Sequence, residues 1–176
     1  MELGKEFDKF VQDLQERAIK EFEENGSVGH STVMLTMNAG KLARGAVIMP
    51  EEVINNRDLY YALIKQLVQQ TRAIAVCFTA ESWVGGNKDI SASEDPNRRE
   101  AVIINATRYN PSGAVIDSRV IALMINRDVE PPVLLNEEET LRVMAERAGE
   151  DDIEGFIFNE NRLANDTGSG PDYFRA

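Results

Sequence analysis

The sequence predicts an α+β fold: an antiparallel sheet of about five strands, two main helices packed on one face of it, and a short third helix near the C-terminus. Three observations lead there. Apolar residues recur at steps of three and four in two long segments, but at steps of two in five others. The segments run helix, hairpin, helix and then three successive β runs, an order that segregates helices from strands instead of alternating them. Two junctions, Asn38-Ala39-Gly40 and Asn110-Pro111-Ser112-Gly113, have the composition of tight turns between antiparallel neighbours.

Leu3, Phe7, Phe10, Val11, Leu14, Ala18 and Phe22 share one helical face, so the first helix covers about residues 3–24 and leaves through Asn25-Gly26. The runs STVMLTM and KLARGAVIM are the first two strands. Pro50 with Glu51 and Glu52 opens a second helix, 51–71, with acids at the positive end of its dipole. Its apolar stripe is Val53, Tyr60, Tyr61, Ile64, Leu67 and Val68, interrupted at Arg57, whose stem can cover apolar surface. Three β runs follow, AIAVCFTAESWV, EAVIINATRY and AVIDSRVIALMIN. In the first of them Ile74, Val76, Phe78 and Ala80 share the face expected to receive the second helix. Ala73, Ala75, Cys77, Thr79, Glu81 and Trp83 share the other. Glu130-Pro131-Pro132 interrupts pairing, and Asn136 with Glu139 forms a capping pair for a third helix at 137–148. IEGFIF beyond it adds a short strand or an extended arm. Residues 1–158 are thus expected to form one domain, and 159–176 a flexible acidic and polar tail with Tyr173 and Phe174 as its docking anchor.

A chain of 176 residues with 43% hydrophobic content can bury a core without covalent staples. Its net charge of −11 argues against direct binding of nucleic acid, which needs clustered cations. Residues 137–176 hold 11 acids and 4 bases, net −7, so the other 136 residues carry −4. One cysteine, Cys77, cannot form a disulfide within the chain and fits a reducing compartment. No apolar run has the length of a membrane span or a signal peptide, and a soluble cytoplasmic protein is expected.

Candidate chemistry gathers at residues 81–100, ESWVGGNKDISASEDPNRRE. Glu81 and Trp83 project from one face where a strand runs into a loop. Glu94, Asp95 and Glu100 supply carboxylates suited to a hard cation, and Arg98 or Arg99 could steady a phosphate. The simpler account is a turn begun by Ser93 or Asp95 before Pro96, with solvated charges and no metal-specific spacing. His30, the one histidine, has no nucleophile signature beside it and is expected at the surface or in a cap. Cys77 is expected to be structural. The glycines match neither phosphate-loop pattern, and one Cys and one His exclude a conventional zinc site. No catalytic residue, metal or cofactor is assigned.

The strand-ending Glu81-Ser82-Trp83, the polar loop, and SEDPNRREAVIINA entering the next strand resemble a family of uncharacterised bacterial and phage proteins, over residues 74–106. That resemblance implies strand, loop, strand, and no activity. The expected function is therefore a non-catalytic protein-interaction or assembly factor, phage or mobile-element encoded, binding a protein partner or a second copy of itself as a dimer. Its binding residues would be Glu81, Trp83, Glu94, Asp95, Arg98, Arg99, Glu100, Tyr173 and Phe174. The alternative is a metal-dependent hydrolase, a nuclease or phosphatase, using Glu81, Asp95 and Glu100; the Lys that a common nuclease pattern places two residues past its second acid is missing. Self-association is expected through open sheet edges and the Ala-rich face of the third strand.

Overall fold

The computed structural model describes residues 2–84 and 98–148. Among them the elements run α1 (Leu3–Asn25), β1 (Ser31–Asn38), β2 (Lys41–Ala46), α2 (Glu51–Ile54), α3 (Arg57–Thr71), β3 (Ala75–Val84), β4 (Arg99–Tyr109), β5 (Val115–Asn126), β6 (Val133–Leu134) and α4 (Glu137–Ala148). The six strands form an antiparallel sheet ordered β2-β1-β3-β4-β5-β6. The strand beyond the expected five is β6, two residues just past Pro131 and Pro132, too short to leave a period in the sequence. Packing divides the described residues into two units, one holding 2–20, 28–80 and 104–120, the other 21–27, 81–84, 98–103 and 121–148. The tail at 159–176, with Tyr173 and Phe174, and the IEGFIF segment lie outside the described residues.

In the first unit the strand register decides which helix covers which face. Leu35 lies opposite Arg44 on β2 and Ala75 on β3, so these three share a face; Met34 lies opposite Gly45 and Val76 on the other. The Arg44 guanidinium stands 5.5 Å from the Phe10 ring centre and 2.6 Å from Asp13, both on α1. Arg108 of β4 and Arg119 of β5 cover the ring of Phe7 at 5.8 and 5.2 Å. Tyr60, Ile64 and Val68 of α3 instead pack with Met34, Met49, Ala73 and Val76, with Phe78 partly buried against them. The two main helices therefore cover opposite faces, which corrects the expectation of both on one. The physical reason lies in β3, which is apolar on both sides: Ala75, Cys77 and Thr79 are as deeply buried as Val76. The Ala-rich face is consequently covered, and it is no surface for self-association.

The expected second helix is two helices. Asn56 is extended (φ −119°, ψ 100°) and its side chain accepts the Leu59 N–H at 3.1 Å, so α3 starts anew from its own cap. Arg57 is then the first residue of α3 and no longer a gap in a continuous stripe. The far end leaves through Arg72 in the left-handed region (φ 52°, ψ 44°). At the β1–β2 hairpin both turn residues, Ala39 (φ 47°) and Gly40 (φ 77°), have positive φ between the pair Asn38 and Lys41. Alanine is the wrong residue there: its Cβ crowds the backbone, whereas Asn-Gly is the favoured dipeptide for such a turn. Ala39→Asn is expected to stabilise the fold by about 0.5–1 kcal/mol, raising the melting midpoint by about 2–4 °C per kcal/mol; an unchanged or lower midpoint in a thermal melt contradicts the assignment.

The β4–β5 turn follows the sequence reading. Asn110 Oδ1 accepts from the Ser112 and Ala114 amides, each at 2.9 Å, and Gly113 takes φ 81°. In the second unit Asn136 and Glu139 form the expected reciprocal cap, each side chain accepting the other's backbone N–H at 2.9 and 3.0 Å. Thr140, fully buried, accepts the Met124 N–H at 3.0 Å and so ties α4 to the end of β5.

Candidate functional site

Because β3, β4 and β5 are neighbours running in alternate directions, the end of β3, the start of β4 and the end of β5 meet at one end of the sheet. Glu81 and Trp83 are two apart on β3 and so share a face. Glu100 is the second residue of β4. Arg127 follows the last residue of β5, where the Asn126 side chain accepts the Asp128 N–H at 3.0 Å and turns the chain. From there Arg127 Nε donates to the Glu100 carboxylate and Nη2 lies 3.7 Å from Glu81. The hydrogen bond to Glu100 pushes the Arg127 guanidinium above its ordinary range; desolvation opposes it, and the charges of Glu100 and Glu81 add to the upward push. Both carboxylate side chains are nearly three-quarters buried and that of Arg127 a little over half.

Beside this triad the Arg98 guanidinium stands 4.7 Å from the Trp83 ring centre, a cation–π arrangement, and Trp83 is 40% exposed. Arg99 is exposed, and as the strand neighbour of Glu100 it points to the opposite face. Of the residues expected to act together, the fold brings Glu81 to Glu100 and Trp83 to Arg98, and it separates Arg99 from both pairs. Glu94 and Asp95 lie outside the described residues. Arg127 was not singled out from the sequence. The signal that could have found it is the meander itself, because three antiparallel strands in a row place the residue after β5 beside the start of β4.

Two other groups have settled positions, both in the first unit. His30, expected at the surface or in a cap, is half-buried among aromatic rings. Its ring sits 4.8 Å from Phe78 and 6.3 Å from Tyr60, whose hydroxyl is 3.1 Å from Thr32 Oγ1. Burial lowers the His30 pKa, and its buried Nε2 meets no hydrogen-bond partner among the described residues. Cys77 is structural, as expected: burial pushes its thiol up to about 12, far from a thiolate nucleophile.

Among the described residues, no three His, Cys, Asp or Glu side chains group closely enough to hold a metal ion. No helix described is long and apolar enough to cross a membrane. Fold and site together define an α+β protein with an antiparallel sheet and, at one sheet end, a charge-paired rim carrying an exposed tryptophan. No family model, curated protein or solved structure matches the chain.

Proposed function

We propose that the protein is a non-catalytic protein-interaction or assembly factor that docks a protein partner on the rim formed by Trp83, Arg98 and the Glu81–Arg127–Glu100 triad. One observation carries this reading: the Arg127 guanidinium is bonded to Glu100 and faces Glu81, so the two carboxylates that a metal-dependent hydrolase would use are already partnered by a cation of the chain itself. A divalent ion there would have to displace a charge-assisted hydrogen bond before gaining its own ligands. What the rim offers outward is Trp83 under Arg98, and Trp and Arg are the side chains that most often dominate binding energy at protein interfaces. A cytoplasmic setting belongs to the same proposal and is favoured by the lone buried Cys77. A phage or mobile-element origin belongs to it too, and rests on the resemblance of residues 74–106.

Metal titration and partner capture test the proposal together. Native protein is expected to show no saturable magnesium or manganese binding at micromolar metal, and no phosphoester cleavage. Arg127→Ala leaves two like charges facing one gap, so it is expected to gain weak cation binding while losing less than about 1 kcal/mol of stability. Trp83→Ala and Arg98→Ala are each expected to weaken capture of a protein partner from a cell extract about tenfold or more, with the circular dichroism unchanged. Micromolar metal binding and cleavage that both vanish when Glu81, Asp95 and Glu100 are replaced by Ala would overturn the reading.

A further inference from the structure

Among the described residues the first half of β5 is an open edge. β4 lies on one side of it, and β6 reaches the other side only at Ile125 and Asn126. Among the described residues the outer side of 115–120 therefore has no strand partner, and Val115 and Ile116 on it are 60% and 51% exposed. Free edges are usually protected by charge, proline or a bulge, because their unpaired N–H and C=O groups recruit other strands. The opposite edge, β2, follows that rule with Lys41 and Arg44.

β5 instead carries an order that complements itself when reversed: Ile116, Asp117, Ser118, Arg119, Val120. Rotated about Ser118, Asp117 falls opposite Arg119 of a second copy and Ile116 opposite Val120. The contacts of the single chain set the faces. Arg119 lies 4.0 Å from Asp117 and 2.5 Å from Asp8 of α1, so 117 and 119 point toward α1 while Ile116, Ser118 and Val120 point away. Pairing about Ser118 thus sets Asp117 opposite Arg119 of the second copy twice on one face, adding to the contacts that Asp117 makes with Arg108 and Arg119 with Asp8 in the chain itself, and places two Ile–Val pairs on the other. Neighbouring registers fail. A shift of two residues sets Asp117 against Asp117 or Arg119 against Arg119, and like charges directly opposed destabilise a ladder. A shift of one residue would turn the side chains of one copy to the wrong face.

We propose that the protein forms a two-fold homodimer by antiparallel pairing of the β5 edge about Ser118, the occupant of that edge being a second copy of this chain. This surface is separate in sequence from the Trp83 rim and does not depend on it. Light scattering of the full chain over a hundredfold concentration range is expected to give twice the chain mass at the upper end. Ile116→Lys, at a side chain already exposed, is expected to raise the dissociation constant at least tenfold with an unchanged melting profile. Ser118→Cys is expected to be bridged between copies by a short bis-maleimide, whereas Ser112→Cys in the β4–β5 turn is not; the buried Cys77 stays silent. Trp83→Ala is expected to leave the doubled mass intact. A single-chain mass at every concentration, a dimer untouched by Ile116→Lys, or equal bridging at both cysteine positions would overturn the proposal.

Discussion

Raising the pH from 9 to 11 is expected to remove about 4 kcal/mol of folding stability, and most of that loss should disappear in a Cys77→Ala, Tyr60→Phe variant. Burial pushes the Cys77 thiol from 9.0 to about 12 and the Tyr60 phenol from 10.0 to about 12; for Tyr60 the hydrogen bond with Thr32 works in the opposite direction. Both groups are neutral when protonated, and both have folded pKa values above their unfolded ones. Below pH 9 the two states hold the same protons and stability is flat with respect to these groups. Above it the unfolded chain releases the Cys77 proton while the folded chain keeps it, and from pH 10 the same holds for Tyr60. The folded state then binds more protons, so stability falls with rising pH by about 1.4 kcal/mol per unit and per group. Two units for the thiol and one for the phenol give the stated total. Urea denaturation at half-unit intervals of pH checks it. A parallel loss in the native chain and the double variant would show that other groups govern the alkaline limb.

Phe7→Ala is expected to cost about 3–5 kcal/mol, the range for deleting a fully buried aromatic side chain. Phe7 has no exposed surface, and its ring lies under both Arg108 and Arg119. Those guanidiniums are held by Asp117 and Asp8, at 3.7 and 2.5 Å. Removing the ring therefore leaves a cavity beneath two charged groups whose positions are pinned, and the surrounding chain cannot collapse freely into it. Arg108 Nε, buried with no hydrogen-bond partner among the described residues, adds to the cost by losing its aromatic cover. Leu3→Ala on the same helix, at a residue 39% exposed, is the control and should cost less than about 1 kcal/mol. Equilibrium urea unfolding of the two variants decides between them; a loss below about 1.5 kcal/mol for Phe7→Ala would mean that α1 is held elsewhere.

What could be read from the residues alone was whatever depends on near neighbours in the chain. The steps of three and four from Leu3 to Phe22 define α1, because a helix brings its own i+3 and i+4 residues together without help from the rest of the fold. The Asn136–Glu139 cap and the Asn110 turn are equally local, each closed by hydrogen bonds spanning two to four residues. The helix break is local as well: Asn56 caps α3, but the apolar stripe continues on either side of it and so resembles that of one helix.

Tertiary structure decided what depends on residues far apart in sequence. A strand with apolar side chains on both faces is equally compatible with one helix layer or two. The cross-strand register that puts Arg44 beside Phe10 of α1, and Val76 with Tyr60 and Ile64 of α3, is a property of the assembled sheet. The rim follows the same logic. Glu81 and Glu100 stood out in the sequence as carboxylates that could converge on a cation, and the fold did bring them toward one point. The cation at that point is Arg127, 27 residues beyond Glu100, carried there by the whole length of β4 and β5. Backbone periodicity and capping are short-range, so the long elements and most of their ends are legible in the residues, whereas the break at Asn56 and the two-residue β6 are not. The sheet's strand order alone determined which charges meet, because electrostatic partners are chosen by distance in space.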